Sequence, residues 1–236
     1  MIYLFATFTI LLAAASLLWI YFLIPAILMV LPTLYFMYAR YLFSPRGGDV
    51  QTKVRRLLLD QIHWDGTGTV LDIGCGSGAL AIAIATKYPQ ATIIGIDSWG
   101  AQWEYSQRRC ETNAQLAGFQ HRISFQKASA SALPFPDAAF DLVVSNLVFH
   151  EVHDVKDKRI LINEALRVLK KNGVFVFQDL FLLNKVYGDT DNLINAVKKS
   201  GIDTVEFLPT RDAPDIPRAL KLPFMIGTIG ILKGRK

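Results

Sequence analysis

The sequence predicts an α/β domain built on a mostly parallel sheet with helices on both faces, preceded by N-terminal membrane helices. Three observations lead there. From Thr69 onward, short apolar runs alternate with amphipathic stretches, the pattern of strands buried on both faces and covered by helices. A glycine loop, Gly74 to Gly78 in VLDIGCGSG, follows the first of these runs directly. Hydrophobic residues make up 52% of the 236-residue chain and charged residues 19%, and the excess lies in Met1 to Ala39, before the first charge at Arg40.

An apolar stretch of about 18 residues or more can span the hydrocarbon core as a helix. Ile2 to Ile24 meets that length, Pro25 interrupts the run, and Ala26 to Phe43 supplies a second apolar segment. The reading is either a helical hairpin turning near Pro25 or one span followed by an interfacial helix; two membrane-embedded segments broken near Pro25 are expected. A cleaved signal peptide fits poorly, because there is no basic leading region and the run is too long. Arg40, Arg46, Lys53, Arg55 and Arg56 follow closely, so the positive-inside rule puts the globular part in the cytoplasm, with these bases facing anionic lipid headgroups. Tyr35, Tyr38 and Tyr41 suit one interface, Trp19 and Tyr21 the other. Small residues Ala13, Ala14, Ala15 and Ser16 would permit close helix contact and self-association into a homo-oligomer, or simply face lipid. The expected domains are an anchor over 1–43, a joint and amphipathic helix over 44–63, and a globular domain over 64–236.

The joint carries Pro45, Gly47 and Gly48, and Asp49 to His63 has apolar residues at helical spacing. Strands are expected at Thr69–Ile73, Ala91–Ile96, Arg122–Gln126, Phe140–Ser145, Val174–Gln178 after an Asn172-Gly173 turn, Ile202–Leu208 and Phe224–Leu232. Helices are expected at Ala79–Tyr88, Ala101–Ala117, Val155–Leu169 and Asp189–Ser200. The stretch Thr210 to Pro223 is rich in proline and has no period, so it reads as a lid or a surface connection. In such sheets ligands sit at the carboxyl ends of the strands, which places a site at the glycine loop.

Glycines at 74, 76 and 78 bare the backbone where the strand turns into a helix, so a ligand can lie against the amides. The spacing is G-x-G-x-G, whereas a nicotinamide-dependent oxidoreductase would need G-x-G-x-x-G. Asp72, inside a buried strand, is costly unless paired. A carboxylate there repels phosphate and suits an ammonium group, so the pattern fits a cationic nucleoside. Asp97 ends the second strand and can accept both ribose hydroxyls, or cap the helix after it.

VLDIGCGSG, IIGID, ALPFPDAAFDLVVSNLVFHEV and EALRVLKKNGVFVFQD, in that order, resemble the class I S-adenosylmethionine-dependent methyltransferases, and are most similar to the small-molecule and lipid branch. The resemblance covers roughly Val50 to the C-terminus. It implies a Rossmann-like seven-stranded sheet with a final antiparallel strand, and S-adenosylmethionine as methyl donor with S-adenosylhomocysteine as product. It also implies that Asp72, Gly74, Cys75, Gly76 and Gly78 hold the methionine part, that Asp97 takes the ribose hydroxyls, that Ser98 and Trp99 flank the adenine, and that Asn146 lies near the methyl. Where the family usually has Asp-Ala after the third strand, this chain has Ser129-Ala130, so a hydroxyl stands where a carboxylate would accept from the adenine amino group.

Methyl transfer needs no metal, and Cys75 and Cys110 have no metal-ligand spacing; Cys75 reads as a filler of the loop. A base is required only for an acceptor that starts protonated. His150, His153 and Asp179 are the candidates; the histidines, alternatively, pair with Glu151 and Asp154 in a surface loop. A net charge of +5 without a basic, aromatic-interleaved stripe argues against nucleic acid, as does the absence of the Asn/Asp-Pro-Pro-Tyr segment typical of amine-methylating members. The expected function is methyl transfer at a membrane to a small hydrophobic or lipid-like acceptor. The alternatives are a soluble small molecule or thiol as acceptor, and a non-catalytic membrane module that keeps the fold.

Overall fold

The computed structural model describes residues 1–16, 20–100 and 106–236, and divides into two compact units, Met1–Val54 and Arg55–Lys236. The first unit is led by α1 (Ile2–Ser16) and α2 (Leu23–Phe43), with a 3-10 turn at Ile20–Phe22 before α2. They pack antiparallel: Arg40 Nη1 donates to Tyr3 Oη at 2.8 Å, Phe5 stacks on Phe36 at 5.3 Å, and the Thr9 and Thr33 hydroxyls meet at 3.2 Å. The two apolar segments expected from the sequence are two helices, and α2 starts two residues before Pro25. Pro25 is the third residue of α2, in the first turn, where its missing N–H would have had no intrahelical acceptor. Among the described residues, the helical stretch long and apolar enough to cross a membrane is Ile20–Phe43, not Ile2–Ile24; Ile2–Ala15 is shorter. The interfacial expectation for Trp19 falls outside the described residues, as does that for the Ser16 side chain.

The amphipathic helix α3 runs over Val50–Asp60. Beyond it, the second unit holds a seven-stranded sheet: β1 Gly68–Ile73, β2 Ala91–Asp97, β3 Ile123–Lys127, β4 Phe140–Asn146, β5 Leu169–Asp179, β6 Thr204–Pro209 and β7 Gly230–Arg235, in spatial order β3-β2-β1-β4-β5-β7-β6. β1 to β5 are parallel, and β7 runs antiparallel between β5 and β6. Helices α4 (Ala79–Lys87), α5 (Gln107–Leu116), α6 (Arg159–Arg167), α7 (Asn184–Tyr187) and α8 (Thr190–Lys199) complete the unit.

Alternation along the strands explains the two cores. Leu71, Ile73, Phe175 and Phe177 point to the face covered by α6 and α8, with Leu161, Leu166 and Leu193. Val70, Leu142, Val144 and Val176 point to the other face, against Leu58, Ala81, Ile84 and Ala114. Asp72, two residues from Val70, shares that second face at the carboxyl end of β1, and it is 1% exposed. The chain leaves β1 for β2 and β3 on one side, then crosses to β4 on the other. The strand-order reversal therefore falls at β1, beside the glycine loop.

Several elements differ from expectation for local reasons. α6 starts at Arg159, not Val155, because the Asp157 carboxylate accepts from the Arg159 amide at 3.1 Å and turns the chain outside the helix. β5 begins at Leu169, paired to Phe140, and Asn172-Gly173 is an irregularity within it, with Asn172 at φ 62°. β7 begins at Gly230, not Phe224: Ile226 donates to the Leu220 carbonyl and Gly227 to that of Leu222, which curls the apolar run Phe224–Ile226 into a turn. α5 starts at Gln107, capped by Ser106; the earlier start expected at Ala101 falls outside the described residues. Thr210–Pro223 folds as two 3-10 turns with Ile216 and Leu220 buried, and none of its residues lines the cavity described next. The connection reading of that stretch is the one that fits.

Candidate functional site

At the carboxyl ends of β1, β2 and β4 lies a cavity of about 480 Å³. The loop that floors it is held at both ends. Gly74 and Cys75 donate their amides to the Ile96 carbonyl at 2.8 and 2.9 Å, and Gly76 donates to Asp97 Oδ2 at 2.9 Å. Gly74, at φ 70°, sits so close to Val148 that a Cβ would overlap that side chain, and Gly78, at φ 79°, begins α4 in a left-handed conformation against the Phe125 ring. The glycines thus serve loop geometry as well as access to the amides.

Asp97 is oriented from two sides, since its Oδ1 accepts from the Trp99 amide at 2.9 Å. Each of its oxygens keeps a lone pair for a further donor. Trp99 turns its indole back to the loop, donating Nε1–H to the Gly76 carbonyl at 3.1 Å. Asp72 is different: its Oδ2 is buried without a hydrogen-bond partner, and burial pushes its pKa up to about 7, with Asp97 adding to the rise and Arg55 opposing it. Asn146 Oδ1, at the end of β4, is likewise buried without a partner. Two cavity-lining residues therefore carry acceptors that the protein leaves unmet. Cys75 is no nucleophile: hydrogen bonding with Cys110, then burial, pushes its thiol pKa up.

Of the residues singled out by sequence, the cavity wall brings together Asp72, Gly74, Cys75, Gly76, Asp97, Ser98, Ser129, Ala130, Asn146 and His153. Gly78, Trp99, His150 and Asp179 lie outside it. Asp179 is fully buried, and its Oδ1 meets His150 Nδ1 at 2.5 Å. The other ring nitrogen, Nε2, lies 3.2 Å from Glu151 Oε1, and Glu151 does line the cavity. Burial works against charge on His150, but Asp179 and then Glu151 outweigh it, and the net shift of its pKa is upward. Both nitrogens of His150 face carboxylates, Asp179 and the expected loop partner Glu151.

Arg55 and Glu151 were missed by sequence reasoning. Arg55, one of the bases expected at a lipid surface, lines this cavity beside Asp72. Its only signal was its position on an amphipathic helix leading into the domain. Glu151 was legible only as the neighbour of His150.

Comparison with known proteins bears on this geometry. Residues 65–207 match the family model of the methyltransferase domain. The chain is 35% identical over 114 residues to 27-O-demethylrifamycin SV methyltransferase of Amycolatopsis mediterranei, covering 48% of this chain and 39% of that protein. It is 30% identical over 125 residues to the ubiquinone/menaquinone biosynthesis C-methyltransferase UbiE of Geotalea uraniireducens, covering 52% and 50%. The chain thus spans about half the length, or less, of these curated relatives. Among solved structures it resembles the [4+2]-cyclase SpnF, with a TM-score of 0.57 at 20% identity, covering 78% of this chain and 80% of that one, a likeness of fold alone. The family match covers more than half of the chain and includes the glycine loop, Asp72 and Asp97: the chain belongs to the methyltransferase domain family.

Proposed function

We propose that this protein transfers a methyl group from S-adenosylmethionine to a small hydrophobic or lipid-like acceptor, held at a membrane by its N-terminal helices with the catalytic domain on the cytoplasmic side. The observation that carries the reading is the buried, unpartnered Oδ2 of Asp72 in the wall of a cavity floored by a glycine loop. Among the described residues the Ala81 amide is the one hydrogen-bond partner of this carboxyl, a buried carboxylate with an unmet oxygen is expensive, and a ligand ammonium group offsets that cost. Asn146 Oδ1 supplies a second unmet acceptor, and Asp97, already oriented by two amides, suits a ribose diol.

When bound, S-adenosylmethionine supplies a methyl group already activated on a sulfonium. The chain's own residues bind, align and exclude water. Asp72 and the loop Gly74–Gly78 would hold the amino-acid end, Asp97 the ribose hydroxyls, Ser98, Ser129 and Ala130 the base, and Asn146 the region of the sulfur. For an acceptor that starts protonated, Glu151 would take the proton at its carboxylate, which is held in place by His150, whose two ring nitrogens face Glu151 and the buried Asp179. His153 lines the same wall.

The apolar acceptor is inferred from the tether. α2 is long enough to span a bilayer, and α1 and α2 expose Leu4, Phe8, Leu11, Ile27, Leu31 and Leu34. An anchored enzyme works where an apolar substrate partitions, and a relative named for quinone biosynthesis supports that class. The test is incubation of the full chain in detergent with labelled methyl donor and a total lipid extract. Label in the organic phase is expected; label confined to water-soluble products would leave the soluble-acceptor alternative in its place.

A further inference from the structure

The turn after β3 and the loop after β4 meet at three side chains. Ser131 Oγ donates to Asp154 Oδ2 at 2.5 Å, and the Ser129 and Ser131 hydroxyl oxygens lie 2.8 Å apart. The Ser131 amide donates to Ser129 Oγ at 3.2 Å. Ser129 and Asp154 both line the cavity. Ser129 is also where this chain departs from the family pattern, with a hydroxyl in place of an acid.

We propose that Asp154, acting through Ser131, fixes Ser129 as a hydrogen-bond acceptor for the exocyclic amino group of adenine, and so restores by relay what the missing carboxylate would have done directly. The assignment follows from counting protons. A carboxylate can only accept, so the one hydroxyl proton of Ser131 is committed to Asp154. Ser131 Oγ can then only accept from Ser129, which commits the one hydroxyl proton of Ser129. Ser129 Oγ is left with lone pairs, of which the Ser131 amide takes one. The other accepts from a ligand and has no proton to give. Without the relay a serine hydroxyl rotates freely between donating and accepting, and does not tell an amino group from a carbonyl. A chain of hydrogen bonds ending on a charge also polarises its members, which strengthens the acceptor at the far end. Asp154 is a positioning residue in this scheme, because it reaches the base only through two hydroxyls.

This inference rests on the methyl-donor reading, and its test separates the two. The full chain in detergent is titrated calorimetrically with S-adenosylhomocysteine and with S-inosylhomocysteine, which carries a carbonyl oxygen in place of the amino group. The native protein is expected to prefer the adenine form. Asp154→Ala and Ser131→Ala should each shrink that preference about threefold to tenfold, the worth of one hydrogen bond. Ser129→Asp should restore it in the Asp154→Ala background, since the acid then stands at the site itself. Asp154 is exposed, so its loss spares the core; Ser131→Ala serves as the second variant. A native protein that binds the adenine form while both variants keep its selectivity would overturn the relay and leave the donor reading intact. A native protein that binds neither ligand would overturn both.

Discussion

The Gly76 amide donates to Asp97 Oδ2 at 2.9 Å, so the floor of the cavity and the acid at its far side are one hydrogen-bonded unit. Loop conformation and ribose recognition are therefore coupled. Asp97→Ala removes the ribose acceptor and, at once, the carboxylate that orients Gly76 and Trp99. S-adenosylhomocysteine affinity should fall by more than the roughly tenfold per hydrogen bond expected at an uncoupled site. Calorimetry measures this, with amide exchange at Gly76 as the independent check on the loop.

Asp72 makes donor binding depend on pH in a definite direction. Its pKa in the folded protein is about 7, well above the ordinary 3.8, with burial as the leading cause. A ligand ammonium group favours the ionised form, so binding expels a proton below pH 7. Affinity should rise as pH is raised from 6 and level off above 7, and calorimetry in buffers of different ionisation enthalpy should detect the released proton. The stability sign is the reverse. A folded pKa raised above the unfolded value means that this carboxyl's favourable contribution is fully present below the unfolded pKa and lost as pH rises through about 7. Asp72→Asn should therefore raise the melting temperature at pH 8, abolish the pH dependence of binding and weaken the complex.

The buried Asp179 sets the charge of His150. Nuclear magnetic resonance titration of the imidazole should give a His150 pKa above the ordinary 6.5, because the two carboxylates outweigh burial. Asp179→Asn removes the leading upward contribution and leaves burial in place, so the value should fall. Glu151→Gln should lower it less. With a protonated acceptor, Glu151→Gln should also slow transfer by about 10² to 10⁴, the usual worth of a positioned base, without changing S-adenosylhomocysteine affinity. Unchanged transfer would move the base elsewhere.

Arg167 binds the loop after β3 to α6. It pairs with Glu164 at 2.8 Å and Asp137 at 2.7 Å, and donates to the Phe135 and Leu133 carbonyls. Arg167→Ala leaves those acceptors unmet, and Glu164 is partly buried. A loss of about 1–3 kcal/mol is expected in denaturant unfolding. Because Ser129 and Ser131 begin that loop, adenine selectivity should loosen as well.

Much of the architecture was legible because burial on both faces of a parallel sheet writes itself as short apolar runs. Six of the seven strands fall at or near their expected places, the last starts six residues late at Gly230, and Asp72 stands out as a charge where none is cheap. What was not legible depends on contacts distant in sequence. Phe224–Ile226 is apolar enough for a strand, but the carbonyls of Leu220 and Leu222 curl it. Arg55 is chemically the same as Arg56 next to it, and only the turn of α3 separates a cavity wall from an exposed base. Pro25 reads as a breaker, yet the first turn of a helix tolerates it. The pairing of Asp154 with Ser131 links residues 23 apart, and no pattern of either segment announces it.

The central claim is that this cavity takes an adenosyl ligand carrying an ammonium group and no phosphate. The most direct measurement is a calorimetric titration of the full chain in detergent at pH 8, with S-adenosylhomocysteine and, separately, a nicotinamide dinucleotide. The account predicts one-to-one binding of the first, lost in Asp97→Ala, and no heat from the second. Binding of the dinucleotide, or silence toward S-adenosylhomocysteine, would contradict it.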